Sequence, residues 1–76
     1  MKDFLEYIIK NLVDNPEAAF VTEYPSPSTI IYEVNLDKPD FGKVIGKKGR
    51  NIDAIRTLCL SIAAKNKLKI MINIKE

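Results

Sequence analysis

Two segments of this chain alternate strictly, and the residues between them follow a helical period. In Thr29 to Leu36, Ile30, Tyr32, Val34 and Leu36 face one way and Ile31, Glu33 and Asn35 the other. In the last segment Leu68, Ile70, Ile72 and Ile74 point inward, and Lys69, Met71, Asn73 and Lys75 point outward. A period of two makes both segments strands with one buried face. Two strands joined by a helical connection of this length normally lie parallel in one sheet. The chain is thereby directed toward a sheet covered by helices, and at 76 residues it has room for one small domain, residues 1–76.

The remaining elements follow from local signals. Phe4, Leu5, Ile8, Ile9, Leu12 and Val13 recur at helical spacing. Asp3 followed by Glu6 has the form of a capping box, which predicts a helix starting there, and Asn15-Pro16 stops it. Ala18 to Tyr24 reads as a strand, and Pro25-Ser26-Pro27-Ser28 as a turn joining it to Thr29 to Leu36 in an antiparallel hairpin. Asp40 is placed to cap a short helical turn through Phe41-Gly42-Lys43-Val44-Ile45. Gly46-Lys47-Lys48-Gly49 breaks it. Ile52, Ile55, Leu58, Cys59 and Ile62 then mark a second helix to about Lys65, ended by Asn66-Lys67. The expected architecture is α+β, in the order α-β-β-α-α-β: a three-stranded mixed sheet with helices on one face. The other face is expected to be relatively polar, with Glu33, Asn35, Lys69, Asn73 and Lys75 on it.

Composition excludes several chemistries. The single cysteine and the absence of histidine rule out, within one chain, a disulfide framework, a Cys/His zinc site and a histidine-based triad. Cys59 sits among Leu58, Leu60 and Ile62 and reads as a buried, inert thiol, which fits a reducing cytoplasm. No apolar run is long enough for a membrane span, and acids stand early in the N-terminus where a signal peptide would be apolar. The spacing of Gly42 to Lys48 superficially resembles a P-loop, but one residue is missing between the glycines and Lys48 stands where magnesium would need Ser or Thr. Asp37 and Asp40 flank a proline and read as caps rather than a catalytic pair. Tyr24 and Tyr32 read as packing residues. No cofactor is implied.

The net charge of +2 hides an asymmetry. Residues 1–40 carry three bases against eight acids, and residues 41–76 carry nine bases against two acids. Lys43, Lys47, Lys48 and Arg50 fall in one short stretch with no acid between them. By itself this pattern suits a solvated lysine surface as well as an anion-binding patch. The glycines sharpen it. Gly46 and Gly49 allow backbone angles that other residues resist and admit a second backbone closely. The helix that follows turns its free N–H groups and positive dipole end toward the loop. A phosphate is the natural guest. Val44, Ile45 and Ile52 would supply an apolar floor, and a basic edge beside an apolar groove suits a single nucleic-acid strand.

Val44-Ile45-Gly46-Lys47-Lys48-Gly49-Arg50-Asn51-Ile52 resembles the V-I-G-x-x-G-x-x-I signature of the KH domain family. The order of elements resembles the family's type II arrangement, in which an extra helix and strand precede the shared core. Because the pattern fills the whole chain, the sequence resembles a stand-alone KH protein. It is similar to the small bacterial KhpA group, to which Asp40 to Gly46 and Ala54-Ile55-Arg56-Thr57-Leu58 also conform. The resemblance implies a non-enzymatic protein that binds single-stranded RNA, about four nucleotides per domain. Gly46 and Gly49 would admit the RNA backbone, Lys47 and Lys48 would meet phosphates, and Val44, Ile45 and Ile52 would pack against bases. Arg50, Lys43 and Arg56 are further candidates, Arg56 being equally readable as an ordinary solvated charge. The family also implies homodimers, or a heterodimer with a second KH-containing protein, and a cytoplasmic role in post-transcriptional regulation. A module used mainly for dimerisation, with RNA binding secondary, is the alternative. The apolar surface of the Ile52–Ile62 helix would serve it.

Overall fold

The computed structural model describes residues 1–75. Helix α1 (Lys2–Leu12) leads to strands β1 (Phe20–Pro25) and β2 (Ile30–Asn35), a short helix α2 (Phe41–Ile45), the long helix α3 (Arg50–Lys65) and strand β3 (Ile70–Ile74). The strand order is β1-β2-β3, with β2 antiparallel to β1 and parallel to β3. The expected α+β class, element order and mixed sheet are therefore present. One layer of helices covers the sheet, and Leu5, Ile9, Val34, Val44 and Cys59 are wholly buried between the layers.

Several local expectations fail because a side chain finds a partner far along the chain. The Asp3–Glu6 capping box does not form. Helix α1 starts at Lys2, with the Met1 carbonyl accepting from Leu5 N–H at 2.9 Å, and Glu6 Oε2 instead accepts from Val21 N–H at 2.9 Å. That N–H lies on the free edge of β1, where β2 offers no acceptor. Two residues beyond Glu23 the same edge carries Pro25, which has no N–H. Asp40 likewise does not cap α2. Its carboxylate accepts the N–H groups of Asp14 and Asn15, each at 3.1 Å, and is only 2% exposed, tying the end of α1 to the start of α2. Asp37 does cap, accepting from Lys38 N–H at 3.1 Å.

Strand β1 begins at Phe20 rather than Ala18, because Pro16–Ala18 winds into a 3₁₀ turn. The apolar stripe of α3 consists of Ile52, Ile55, Cys59 and Ala63, leaving Leu58 exposed. Leu68, expected inward, is 47% exposed. It belongs to the helix terminus rather than to β3: its N–H bonds the Ala63 carbonyl at 2.8 Å and Lys67 N–H bonds Ala64 at 3.0 Å, with Lys67 at φ 58. This is the Schellman pattern, with lysine in the place glycine usually takes. The open sheet face is less polar than expected. Tyr24, Ile31 and Met71 stand side by side across all three strands, with Tyr24 and Met71 about half exposed.

The buried Tyr32 hydroxyl donates to Glu23 Oε2 at 3.1 Å. Burial, and then the Glu23 carboxylate, push its pKa up to about 12. Burial also raises the Cys59 thiol, consistent with an unreactive core residue.

Candidate nucleic-acid interface

The segment joining α2 to α3 consists of two interlocked tight turns. Gly49 N–H bonds the Gly46 carbonyl at 3.2 Å, and Arg50 N–H bonds the Lys47 carbonyl. Lys48 (φ 56, ψ 26) and Gly49 (φ 75, ψ 15) occupy the left-handed region in succession, as the centre of a type I′ turn requires. Gly46 adopts φ 76, ψ 174, a conformation essentially restricted to glycine. The two glycines thus serve different ends. A methyl group on Gly46 would stand 2.6 Å from Asn51 Cγ, whereas one on Gly49 would meet nothing closer than Asp53 Oδ2 at 4.0 Å.

Asn51 is the residue that sequence reasoning missed as a functional group. Its Nδ2 donates to the Lys43 carbonyl at 2.9 Å, linking the first turn of α3 to the end of α2 across the whole loop. That carbonyl belongs to the last turn of a helix and lacks an intrahelical donor. The available signal was an asparagine just after a glycine-bracketed break, a side chain suited to bonding nearby main chain.

The turns present Lys47 and Lys48 to solvent, with Arg50 exposed beside them. Among the described residues the one ion pair is Lys43 Nζ to Asp14 Oδ2 at 3.2 Å, so these three cations have no carboxylate partner within ion-pair distance. Lys43 lies in the same basic stretch but is directed toward α1. Asp53 sits in the first turn of α3 and already complements its dipole, so attraction for an anion at the loop rests on the lysines.

The apolar candidates divide. Val44 is fully buried and Ile52 is 5% exposed, so both support the loop from the core and offer no surface to a base. Ile45 alone is partly exposed. Arg56 is partly buried, not free in solvent. Its Nε donates to the Ile72 carbonyl at 3.1 Å, bridging α3 to β3. Ile30 N–H bonds Lys69 and Lys75 N–H bonds Val34, so Lys69, Met71, Asn73 and Lys75 turn their main chain toward β2. The main-chain groups of Ile70, Ile72 and Ile74 therefore face the open edge, where Arg56 reaches over. The loop, Ile45 and Arg56 are the candidates that keep some exposure. A hollow of about 670 Å³, lined by Asn35, Leu36, Lys38, Phe41 and Lys75, contains none of them.

No group of three or more Cys, Asp or Glu side chains among the described residues is arranged to hold a metal ion, and no described helix is long and apolar enough to cross a membrane. The family described as "KhpA/KhpB, KH domain" matches residues 2–74. The "RNA-binding protein KhpA" of Chlamydia caviae is 57% identical over 76 residues, covering all of this chain and 97% of the relative. The protein of the same name from Clostridium perfringens is 43% identical over 97% of this chain and 99% of its own. That from Listeria monocytogenes is 40% identical over the full length of both. No solved structure matches the chain. Similarity at this level along the whole length, with the glycine-bracketed basic loop in place, makes the chain a member of the KhpA/KhpB family of KH-domain proteins.

Proposed function

We propose that this protein binds single-stranded RNA without catalysing a reaction, about four nucleotides lying along the loop and the groove beside it. The observation that carries this reading is the pair of exposed lysines, Lys47 and Lys48, on a backbone held in conformations that bring a partner's chain close. Full-length relatives named RNA-binding proteins support it. In this reading Lys47, Lys48 and Arg50 meet phosphates, Gly46 and Gly49 admit the sugar–phosphate chain, and Ile45 and Arg56 face the bases. Val44 and Ile52 hold the floor in place. Lys43 contributes only if it leaves Asp14. The wider role we infer is cytoplasmic and post-transcriptional.

Filter binding of a short single-stranded RNA tests the assignment. With three cations on phosphate, log K falls against log salt with a slope of about −2. Changing Lys47 and Lys48 together to Asp abolishes binding and leaves the thermal midpoint unchanged, since both side chains are exposed and unpaired. Wild-type affinity in that double variant would refute the loop as the site.

A second reading, a module that pairs with another copy or with a second KH-containing protein, is favoured by the exposed Tyr24–Ile31–Met71 row and by Leu58 and Leu60. Size-exclusion chromatography with and without RNA separates the two readings. A dimer that ignores RNA at low salt supports the second.

A further inference from the structure

We propose that Asn51 is a positioning residue for the basic loop, setting RNA affinity without contacting RNA. This deepens the RNA-binding reading and rests on it. Residues 46, 48 and 49 all have positive φ, and Lys48 is not a glycine. A loop with that many left-handed residues has other conformations within reach, and left to itself would have to be ordered when ligand arrives. Two contacts from one side chain hold it beforehand. The Asn51 amide donates to the Lys43 carbonyl at 2.9 Å, fixing the distance between α2 and α3. Its Cγ and Cβ lie 2.6 and 2.9 Å from where a Gly46 side chain would begin, so the Gly46 main chain rests directly on Asn51. The side chain, itself exposed, braces the loop against the end of α2, and Lys47 and Lys48 are exposed on the loop it holds. An aliphatic residue here fills the space without the tether, and an aspartate keeps the shape but cannot donate to a carbonyl.

The test uses Asn51→Ala and Asn51→Asp in the intact protein, with two readouts. The first is amide hydrogen exchange at residues 46–49 in the RNA-free protein. The second is affinity for a short single-stranded RNA across a salt series. Asn51→Ala is expected to raise exchange at Gly49 severalfold, to weaken binding about tenfold, and to make the salt slope shallower by about 0.7, the loss of one ordered phosphate contact. A role confined to stability lowers the thermal midpoint and leaves the slope of the folded protein unchanged, which overturns the proposal. Should the alanine variant fold poorly, Asn51→Asp decides by exchange alone, because an acid in the first turn of α3 favours the helix. Unchanged loop exchange in that variant overturns the proposal. A wild-type protein that binds no RNA refutes the RNA reading, while exchange at the loop still decides whether Asn51 holds it.

Discussion

Replacing Gly46 by Ala should damage the fold far more than replacing Gly49 by Ala, although both residues bracket the same loop and have nearly the same φ. At Gly46 the new methyl would lie 2.6 Å from Asn51 Cγ, 2.9 Å from its Cβ and 3.0 Å from its main-chain nitrogen. The last of these is backbone and cannot swing away. The backbone at φ 76, ψ 174 is also closed to alanine at a cost of about 1–3 kcal/mol, and crowding adds a similar amount, giving roughly 4 kcal/mol. A chain of 76 residues is stabilised by only roughly 4–11 kcal/mol in total. At Gly49 the nearest atom is 4.0 Å away and the angles (φ 75, ψ 15) are those that ordinary residues adopt at about 1–2 kcal/mol. Urea unfolding followed by far-ultraviolet circular dichroism measures both. The Gly46 variant should lose at least ~2 kcal/mol more than the Gly49 variant. In Asn51→Ala the Gly46 penalty should shrink only in part, since the Cγ contact is gone while the Cβ and main-chain contacts remain. Equal losses at the two glycines would refute the claim that Gly46 is a packing position and Gly49 only a conformational one.

Two further perturbations read the buried polar groups. The pKa of Tyr32 is raised from 10.0 to about 12, so its neutral form is favoured in the folded state. Stability from this source is complete below pH 10 and is lost as pH climbs from 10 through 12, about 3 kcal/mol in all. Urea midpoints between pH 8 and 12 should fall more steeply in the wild type than in Tyr32→Phe, and parallel curves would show that Tyr32 does not supply the alkaline limb. Asp40→Ala strips the acceptor from two N–H groups and should cost about 2–3 kcal/mol, with Asp40→Asn losing less because one oxygen remains. Thermal unfolding checks the ranking.

Much of this architecture is legible in the sequence because it is written in local periodicity. The alternation in β2 and β3 and the stripe of α3 give the topology, and paired glycines locate the loop. What stays illegible is partner choice over long range. Glu6 and Asp40 carry genuine capping signals, yet each spends its carboxylate on main-chain N–H groups at least fifteen residues away. A local reading cannot weigh a nearby helix end against a distant strand edge that exists only after folding. Depth is hidden for the same reason: Val44 and Ile45 are neighbours of equal hydrophobicity, and only the crossing of α2 over the core decides that one is sealed and the other open. Arg56 and Lys43 show it for charge, since each is claimed by an element the sequence places elsewhere.

The Glu6 carboxylate on Val21 N–H and the proline at Pro25 have a consequence beyond the single molecule. A three-stranded sheet with two bare borders is a seed for lateral polymerisation, each molecule lending a template to the next. Along β1 one donor is already occupied by an acid and another was never there, which leaves Glu23 N–H alone between them. An incoming strand would find a single free donor on that side, too few for a regular ladder. Growth is confined to the border of β3, where Arg56 holds the Ile72 carbonyl, and a chain sealed at one end of its sheet can pair there but cannot propagate.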